Sequence, residues 1–239
     1  DTIMNSYDWY QENNVELINN DPVEKVDKEN KIVTTSKGIE VEYDICIFAT
    51  GSKAFVLPIP GSNLPSVIGW RTIDDTNKMI EIAQTKKRAV VIGGGLLGLE
   101  CARGLLDQGM EVTVLHLADW LMEMQLDRKA GEMLKADLEK QGMKIELQAN
   151  SKEIIGDKDV EAIKLADGRV IETDLVVMAV GIRPYTEVAK DSGLDVNRGI
   201  VVNDYMQTSD SHIYAVGECA EHDGKVYGLV APLYEQGKV

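Results

Sequence analysis

Apolar and polar residues along this chain fall into two rhythms, period two or continuous for strands and period 3.6 for helices, separated by glycine and proline. The densest apolar stretch is Arg88 to Leu115, RAVVIGGGLLGLECARGLLDQGMEVTVL. It predicts a strand through Val90–Ile92, a glycine turn, a helix from Leu96 to Gln108 stopped by Gly109, and a second strand over Val112–Leu115. Tyr43–Ala49 and Asp174–Val180 are nearly continuous in apolar residues, as strands covered on both faces should be. Helical spacing over Asp74–Gln84 places Met79, Ile80 and Ala83 together, and over Leu126–Gln141 it aligns Leu126, Ala130, Met133, Leu134 and Leu138. Gly142 stops that second helix, and Ile145–Leu147 then continues the parallel sheet.

The flanks are more broken. Val15–Ile18 reads as a short strand, and Val23–Asp27, Lys31–Thr35 and Ile39–Glu42 as a small meander at the edge of a larger sheet. Asp167-Gly168 between Val160–Leu165 and Val170–Glu172 signals a hairpin with a type I′ turn. After Tyr185 a short helix leads to strands at Gly199–Val202 and Ile213–Val216, and Leu229–Val239 has a helical pattern. Alternating strands and helices around a central βαβ unit place the chain in the α/β class, with a Rossmann-like nucleotide-binding fold. Pro58, Pro60, Gly61 and Pro65 crowd one stretch and mark a connection between domains.

The turn inside the βαβ unit carries candidate chemistry. Gly93, Gly95 and Gly98 occupy the G-x-G-x-x-G positions. The first serves a sharp turn, the second close approach of a pyrophosphate to the backbone, and the third close packing of helix on strand. Gly94, Leu96 and Leu97 complete the loop and first helical turn, whose N–H groups and dipole favour phosphate. Dinucleotides of this class usually meet an acidic residue about 20 positions on, at the end of the second strand. Here that place holds His116, and a neutral imidazole cannot chelate two ribose hydroxyls as a carboxylate does. From Glu111 to Asp127 there is no Lys or Arg to receive a 2′-phosphate, so the reading leans to NADH over NADPH.

The chain has 239 residues, enough for one large or two modest domains, with 44% hydrophobic and 27% charged residues. Its net charge of −15 argues against nucleic acid and against an anionic membrane surface as partners. No apolar run approaches a membrane span, and no signal peptide opens the chain. Cys46, Cys101 and Cys219 form no C-x-x-C pair and no metal spacing. Cys46 and Cys101 read as small core residues, and Cys219, after a glycine turn, as the more accessible thiol. This usage fits a reducing cytoplasm. Both chain ends read as cuts within a larger protein.

Two further strands end in short turns, FATGS at 48–52 and YAVGE at 214–218. With the GIRP turn at 181–184, this order of motifs resembles the FAD-dependent pyridine nucleotide–disulfide oxidoreductase superfamily over nearly the whole chain. Within it, GGGLLGLECARGLLDQGMEVTVLHLADWLM, the following QLD and YGLVAPLYEQG are most similar to the large subunits of assimilatory NAD(P)H nitrite reductases. The resemblance implies a NADH-binding domain at 69–184 inserted in an FAD-binding domain whose segments are 1–68 and 185–239, the first lacking its N-terminal part. It implies FAD contacts at Thr50 and Gly51, at Gly217 and Glu218 (where most relatives carry Asp), and at Val23 beside the adenine. Glu100 matches a carboxylate near the nicotinamide–flavin junction, and Gly181 a turn lining the NADH site. Arg183 reads as a structural turn residue.

On that resemblance the expected function is hydride transfer from NADH (or NADPH) to FAD, with electrons passed to other domains of the polypeptide or to a redox partner. Cofactor chemistry of this kind requires no side-chain acid, base or nucleophile, so no catalytic residue is assigned. Iron–sulfur and siroheme groups are expected only on parts outside this chain. A free-standing ferredoxin or rubredoxin reductase, a NADH oxidase and a non-catalytic nucleotide-binding module stay open as alternatives, as does a homodimer.

Overall fold

The computed structural model describes residues 5–239; residues 1–4, the start of the expected first FAD segment, lie outside the described residues. In chain order, the first elements are α1 (Tyr7–Glu12), β1 (Val23–Asp27), β2 (Ile32–Thr35), β3 (Glu40–Glu42), β4 (Cys46–Phe48), β5 (Ser52–Ala54) and β6 (Val67–Gly69). Next come α2 (Ile73–Ala83), β7 (Arg88–Ile92), α3 (Leu96–Asp107), β8 (Glu111–Leu115), α4 (Arg128–Lys140) and β9 (Lys144–Glu146). Then follow β10 (Ser151–Ile155), β11 (Ala162–Leu165), β12 (Val170–Glu172), β13 (Leu175–Met178), β14 (Ile182–Pro184) and α5 (Glu187–Asp191). The last are β15 (Ile200–Val202), β16 (Ile213–Ala215), a 3₁₀ turn at Gly217–Cys219, β17 (Ala220–His222), β18 (Lys225–Val226) and α6 (Val230–Gln236). Two compact units divide the chain, Lys53–Arg183 and Asp1–Ser52 with Pro184–Val239.

The unit Lys53–Arg183 is built on a five-stranded parallel sheet in the order β6-β13-β7-β8-β9. Alternate residues of its inner strands serve opposite faces, as a period of two dictates. Val91, Val112, Val114, Leu175 and Val177 pack with Met79 of α2 and Cys101, Ala102 and Leu105 of α3. Val90, Ile92, Leu115, Val176 and Met178 instead meet Ile154, Ile163 and Leu165. Those last belong to an antiparallel sheet, β10-β11-β12, so one face of the parallel sheet is covered by strands. Leu57, Ile59, Leu64 and Val67 pack into the same layer. The unit therefore begins at Lys53, earlier than the boundary read after residue 68.

Local chemistry sets the helix starts. Thr72 and Asp75 form a reciprocal capping box at α2, and Asp127 accepts the Ala130 N–H at 2.8 Å to cap α4. That cap starts α4 at Arg128, after Leu126, and Met133 stays 66% exposed, so only Leu134 and Leu138 of the expected face reach the core. The hairpin at Asp167-Gly168 forms, but only Gly168 has positive φ (+93°). A type I′ turn needs both central residues there, so the turn is of another kind. Asp167 is held in place by the Arg169 N–H on its carboxylate at 3.0 Å.

The other unit departs further from the sequence reading. The meander β1-β2-β3 forms, as a three-stranded sheet of its own and not as the edge of a larger one. Residues 15–18 are not a strand; Val15, Leu17 and Ile18 are exposed and join no ladder among the described residues. Among the described residues Tyr43–Ala49 is no doubly covered strand: β4 pairs there with β16 alone, leaving Ile45 and Ile47 51% and 60% exposed. The core gathers Val26, Phe48, Ile200, Ile213, Ala215 and Cys219. Cys219 is fully buried because the 3₁₀ turn directs it inward, where its thiol meets the Phe48 and Val216 carbonyls; the accessible thiol expected there is corrected. Burial pushes the Cys101 thiol up to about 12 and raises that of Cys46.

Candidate dinucleotide and flavin sites

β7 and β8 run side by side from Arg88/Glu111 to Ile92/Leu115, and the glycine turn leaves their carboxyl ends, where ligands of open α/β sheets gather. The Gly93 N–H donates to the Leu115 carbonyl at 2.8 Å and its φ is +120°. A Cβ there would stand 2.3 Å from the Ala179 carbonyl oxygen, so only glycine fits. A Cβ on Gly98 would come within 2.0 Å of the Gly93 carbonyl oxygen, which is how closely α3 lies on the turn. Gly95 differs. It is the N-cap of α3 in extended conformation, no side chain caps the helix, and a Cβ would meet nothing within 4 Å.

The first N–H groups of α3, at Leu96 and Leu97, have no intrahelical acceptor, and open space lies before the Gly95 backbone. Both leucine side chains are about half exposed. The residues present therefore fit a phosphate group delivered to that helix end. Glu100 is exposed one turn further along α3. Gly181 has φ +109°, and its carbonyl accepts the Phe55 N–H at 2.9 Å. Arg183 lies over the Phe55 ring, 4.0 Å from its centroid, in keeping with a structural role.

His116 is 7% exposed at the end of β8 and touches the fingerprint directly. Its Nδ1 accepts the Gly94 N–H at 3.0 Å, and its Nε2 lies 2.9 Å from Oε2 of Glu123. A Cβ on Gly94 would crowd both His116 and Leu121 at 2.7 Å. Glu123 escaped the sequence reading, because nothing in its spacing from Gly93 marks it; only the path of the loop after His116 brings it back.

In the unit of Asp1–Ser52 and Pro184–Val239, Val23 and Thr50 line one groove of about 690 Å³, with Val26, Phe48, Tyr185 and Val188 among its other walls. That volume is in the range of cofactor sites, and the lining is mostly apolar. Gly51 and Gly217 have φ of +65° and +84° with open space where a Cβ would stand, so backbone is presented at both turns. Glu218 accepts a hydrogen bond from the Ser52 hydroxyl at 2.8 Å, which places the ATG and VGE turns beside one another. The Gly217 N–H is held by the side-chain carbonyl of Gln236 at 2.8 Å. Ser52 and Gln236 were not singled out from sequence, since they act through contacts distant in the chain. The turns and groove fit the edge of an extended cofactor such as a flavin dinucleotide. Among the described residues no cluster of His, Cys, Asp and Glu could hold a metal ion, and no helix is long and apolar enough to cross a membrane.

A parallel sheet with a glycine fingerprint, set between two segments that carry a second set of glycine turns, defines a two-nucleotide α/β oxidoreductase. The chain belongs to the pyridine nucleotide-disulphide oxidoreductase family, which matches residues 6–237. Family membership implies binding of FAD and NAD(P)H. The chain is 58% identical to nitrite reductase [NAD(P)H] of Bacillus subtilis over 239 residues, all of this chain and 30% of that protein. It is 46% identical over 238 residues to the assimilatory nitrate reductase electron transfer subunit of the same organism, covering 100% of this chain and 31% of that one. A crystal structure of a ferredoxin reductase from Rhodopseudomonas palustris superposes with a TM-score of 0.89 at 30% identity, covering 95% of this chain and 57% of that one. The chain thus spans about a third of the length of these two curated relatives.

Proposed function

We propose that this chain is the NADH-to-FAD electron-entry module of a nitrite reductase large subunit. The observation that carries the reading is the uncapped N-terminus of α3 behind Gly93–Gly98, open at Gly95, in a chain similar along its whole length to a nitrite reductase. In this reading the N–H groups of Gly95, Leu96 and Leu97 hold the pyrophosphate of NADH, Glu100 and Gly181 border the nicotinamide end, and His116 supports the turn. Val23, Thr50, Gly51, Gly217 and Glu218 contact FAD, with Ser52 holding the Glu218 carboxylate in place. Bound flavin supplies the two-electron acceptor for a hydride; the protein's part is to bind, orient and exclude water. Nitrite is reduced on iron–sulfur and siroheme domains outside this chain, to which the electrons pass, and a second copy of the chain is a further partner to test. We place the protein in the cytoplasm, supported by three unpaired thiols and the absence of a membrane-spanning helix among the described residues.

The test is calorimetric titration of the full-length protein with NADH, after its visible spectrum is recorded. Flavin absorption, saturable NADH binding and nitrite-dependent NADH oxidation are expected. Gly95→Glu, which fills the open space with a carboxylate, is expected to abolish NADH binding while the fold and flavin bands persist. Unchanged affinity in that variant would remove the site assignment. Electron transfer to rubredoxin or ferredoxin but never to nitrite would assign a free-standing reductase instead.

A further inference from the structure

At the end of β8, where the dinucleotide fold usually presents an acid, this chain presents a histidine whose two nitrogens are both engaged. Nδ1 accepts the Gly94 N–H at 3.0 Å, so the ring proton sits on Nε2 and is donated to Glu123 at 2.9 Å. Neither ring nitrogen of His116 is therefore free to hydrogen-bond a ribose hydroxyl. The group it presents is Glu123, whose side chain is 35% exposed and uses one carboxylate oxygen on the imidazole.

The loop carrying Glu123 is fastened to the fingerprint itself. Leu121 is fully buried, and Met122 takes a left-handed conformation (φ +57°). From there its N–H reaches the Gly94 carbonyl at 3.0 Å. The Met122 carbonyl in turn accepts the N–H groups of Gln125 and Leu126, both at 2.8 Å. Gly94 is thus bonded on its N–H side through His116 and on its carbonyl side by Met122, and Glu123 is fixed between these two ties. Arg128, the first cation after β8, is occupied: it pairs with Asp119 and lies 4.9 Å from the centre of the Trp120 ring.

We propose that Glu123, presented by His116 against Gly94, is the ribose-binding acid of this protein, and that it selects a nucleotide with a free 2′-hydroxyl over one with a 2′-phosphate. The inference rests on the NADH-binding reading above and adds the residue that sets its specificity. A carboxylate oxygen accepts a hydrogen bond from a ribose hydroxyl and repels a phosphate at the same place. His116 is the positioning residue, with its imidazole bridging turn and acid.

The experiment measures equilibrium dissociation constants of the full-length protein for NADH, NADPH and 2′-deoxy-NADH by fluorescence titration, in the natural sequence and in Glu123→Gln. The natural protein is expected to bind NADH tightest and to lose about ten-fold or more with either of the other two, the loss typical of one hydrogen bond to a charged group. Glu123→Gln is expected to narrow both ratios by a similar factor while its circular dichroism is unchanged. If the natural protein binds 2′-deoxy-NADH as tightly as NADH, or if the variant keeps both ratios, Glu123 is not the ribose ligand. Should Glu123→Gln fail to fold, the 2′-deoxy comparison together with Glu123→Asp, which shortens the reach by one methylene, decides the same point. Failure of the natural protein to bind NADH or NADPH at all would overturn the NADH-binding reading instead.

Discussion

Gly98 shows how little room a residue can have when backbone meets backbone. A methyl group there would lie 2.0 Å from the Gly93 carbonyl oxygen, and neither α3 nor the turn can retreat, because Cys101, Ala102 and Leu105 anchor the helix in the core. Gly98→Ala is expected to cost on the order of 1–3 kcal/mol, as overpacking of a tight site does, and to weaken NADH binding by shifting the turn. Urea unfolding monitored by circular dichroism, paired with a NADH titration, checks both. Gly95 is the contrast: its Cβ would meet nothing, so Gly95→Ala should leave stability nearly unchanged and act only through the ligand. The sequence reading already gave the two glycines different roles, Gly98 packing and Gly95 pyrophosphate approach, and the space around each agrees with that difference. The two kinds of constraint differ because one is imposed by the protein's own atoms and the other, on the proposed reading, by the phosphate of a bound nucleotide.

At the scale of elements, the sheet that carries the turn is pinned at its opposite end. Asp174, just before β13, accepts hydrogen bonds from the Arg88 backbone N–H at 2.9 Å and from the guanidinium Nη2 at 3.0 Å, so it ties β13 to the start of β7. The Arg88 side chain holds the Asp174 carboxyl well down, from 3.8 to about 2, with help from the backbone N–H groups of Arg88 and Lys87 and against the effect of burial. A carboxyl lowered in the folded state adds stability above its unfolded value, and that stability fades as pH falls from about 4 toward 2. A shift of this size corresponds to about 2 kcal/mol. Asp174→Asn is accordingly expected to lower stability by roughly that amount at pH 7, with the gap to the natural protein closing below pH 3. Denaturant midpoints at the two pH values measure it; an equal gap at both would show that the pair contributes no linked stability. The strands themselves were legible as apolar runs, but their covering was not. Period-two alternation says that two faces exist; it does not say that one meets α2 and α3 and the other a second sheet, or that among the described residues β4 pairs with β16 alone.

For the molecule as a whole, each compact unit has a hydrophobic core of its own, one around β7 and β13 and the other around Phe48, Ile200 and Ile213. On the proposed placement, NADH at Gly93–Gly98 would stabilise the unit Lys53–Arg183 by mass action, by about 2.7 kcal/mol at one hundred times its dissociation constant. Hydrogen exchange with and without NADH is expected to show added protection across β7, α3, β8 and the loop to Glu123, and far less in residues 184–239. Protection confined to the other unit would contradict the placement of the nucleotide.

The sequence by itself determined the βαβ unit, its glycine turn and most strand positions, because these rest on short-range rules: apolar periodicity, and glycine where the chain turns or a helix stops. The motif order across nearly the whole chain was likewise enough to point to the oxidoreductase family. Only the tertiary structure decided which residues 53–68 pack against, that Cys219 is buried, that β4 pairs with β16, and that Ser52 holds Glu218. It alone brought Glu123 back to His116 and Gly94. Those outcomes depend on groups far apart along the chain or on loop paths with no periodic pattern, where the deciding energy is the burial and hydrogen bonding of the finished fold and not the preference of any local segment.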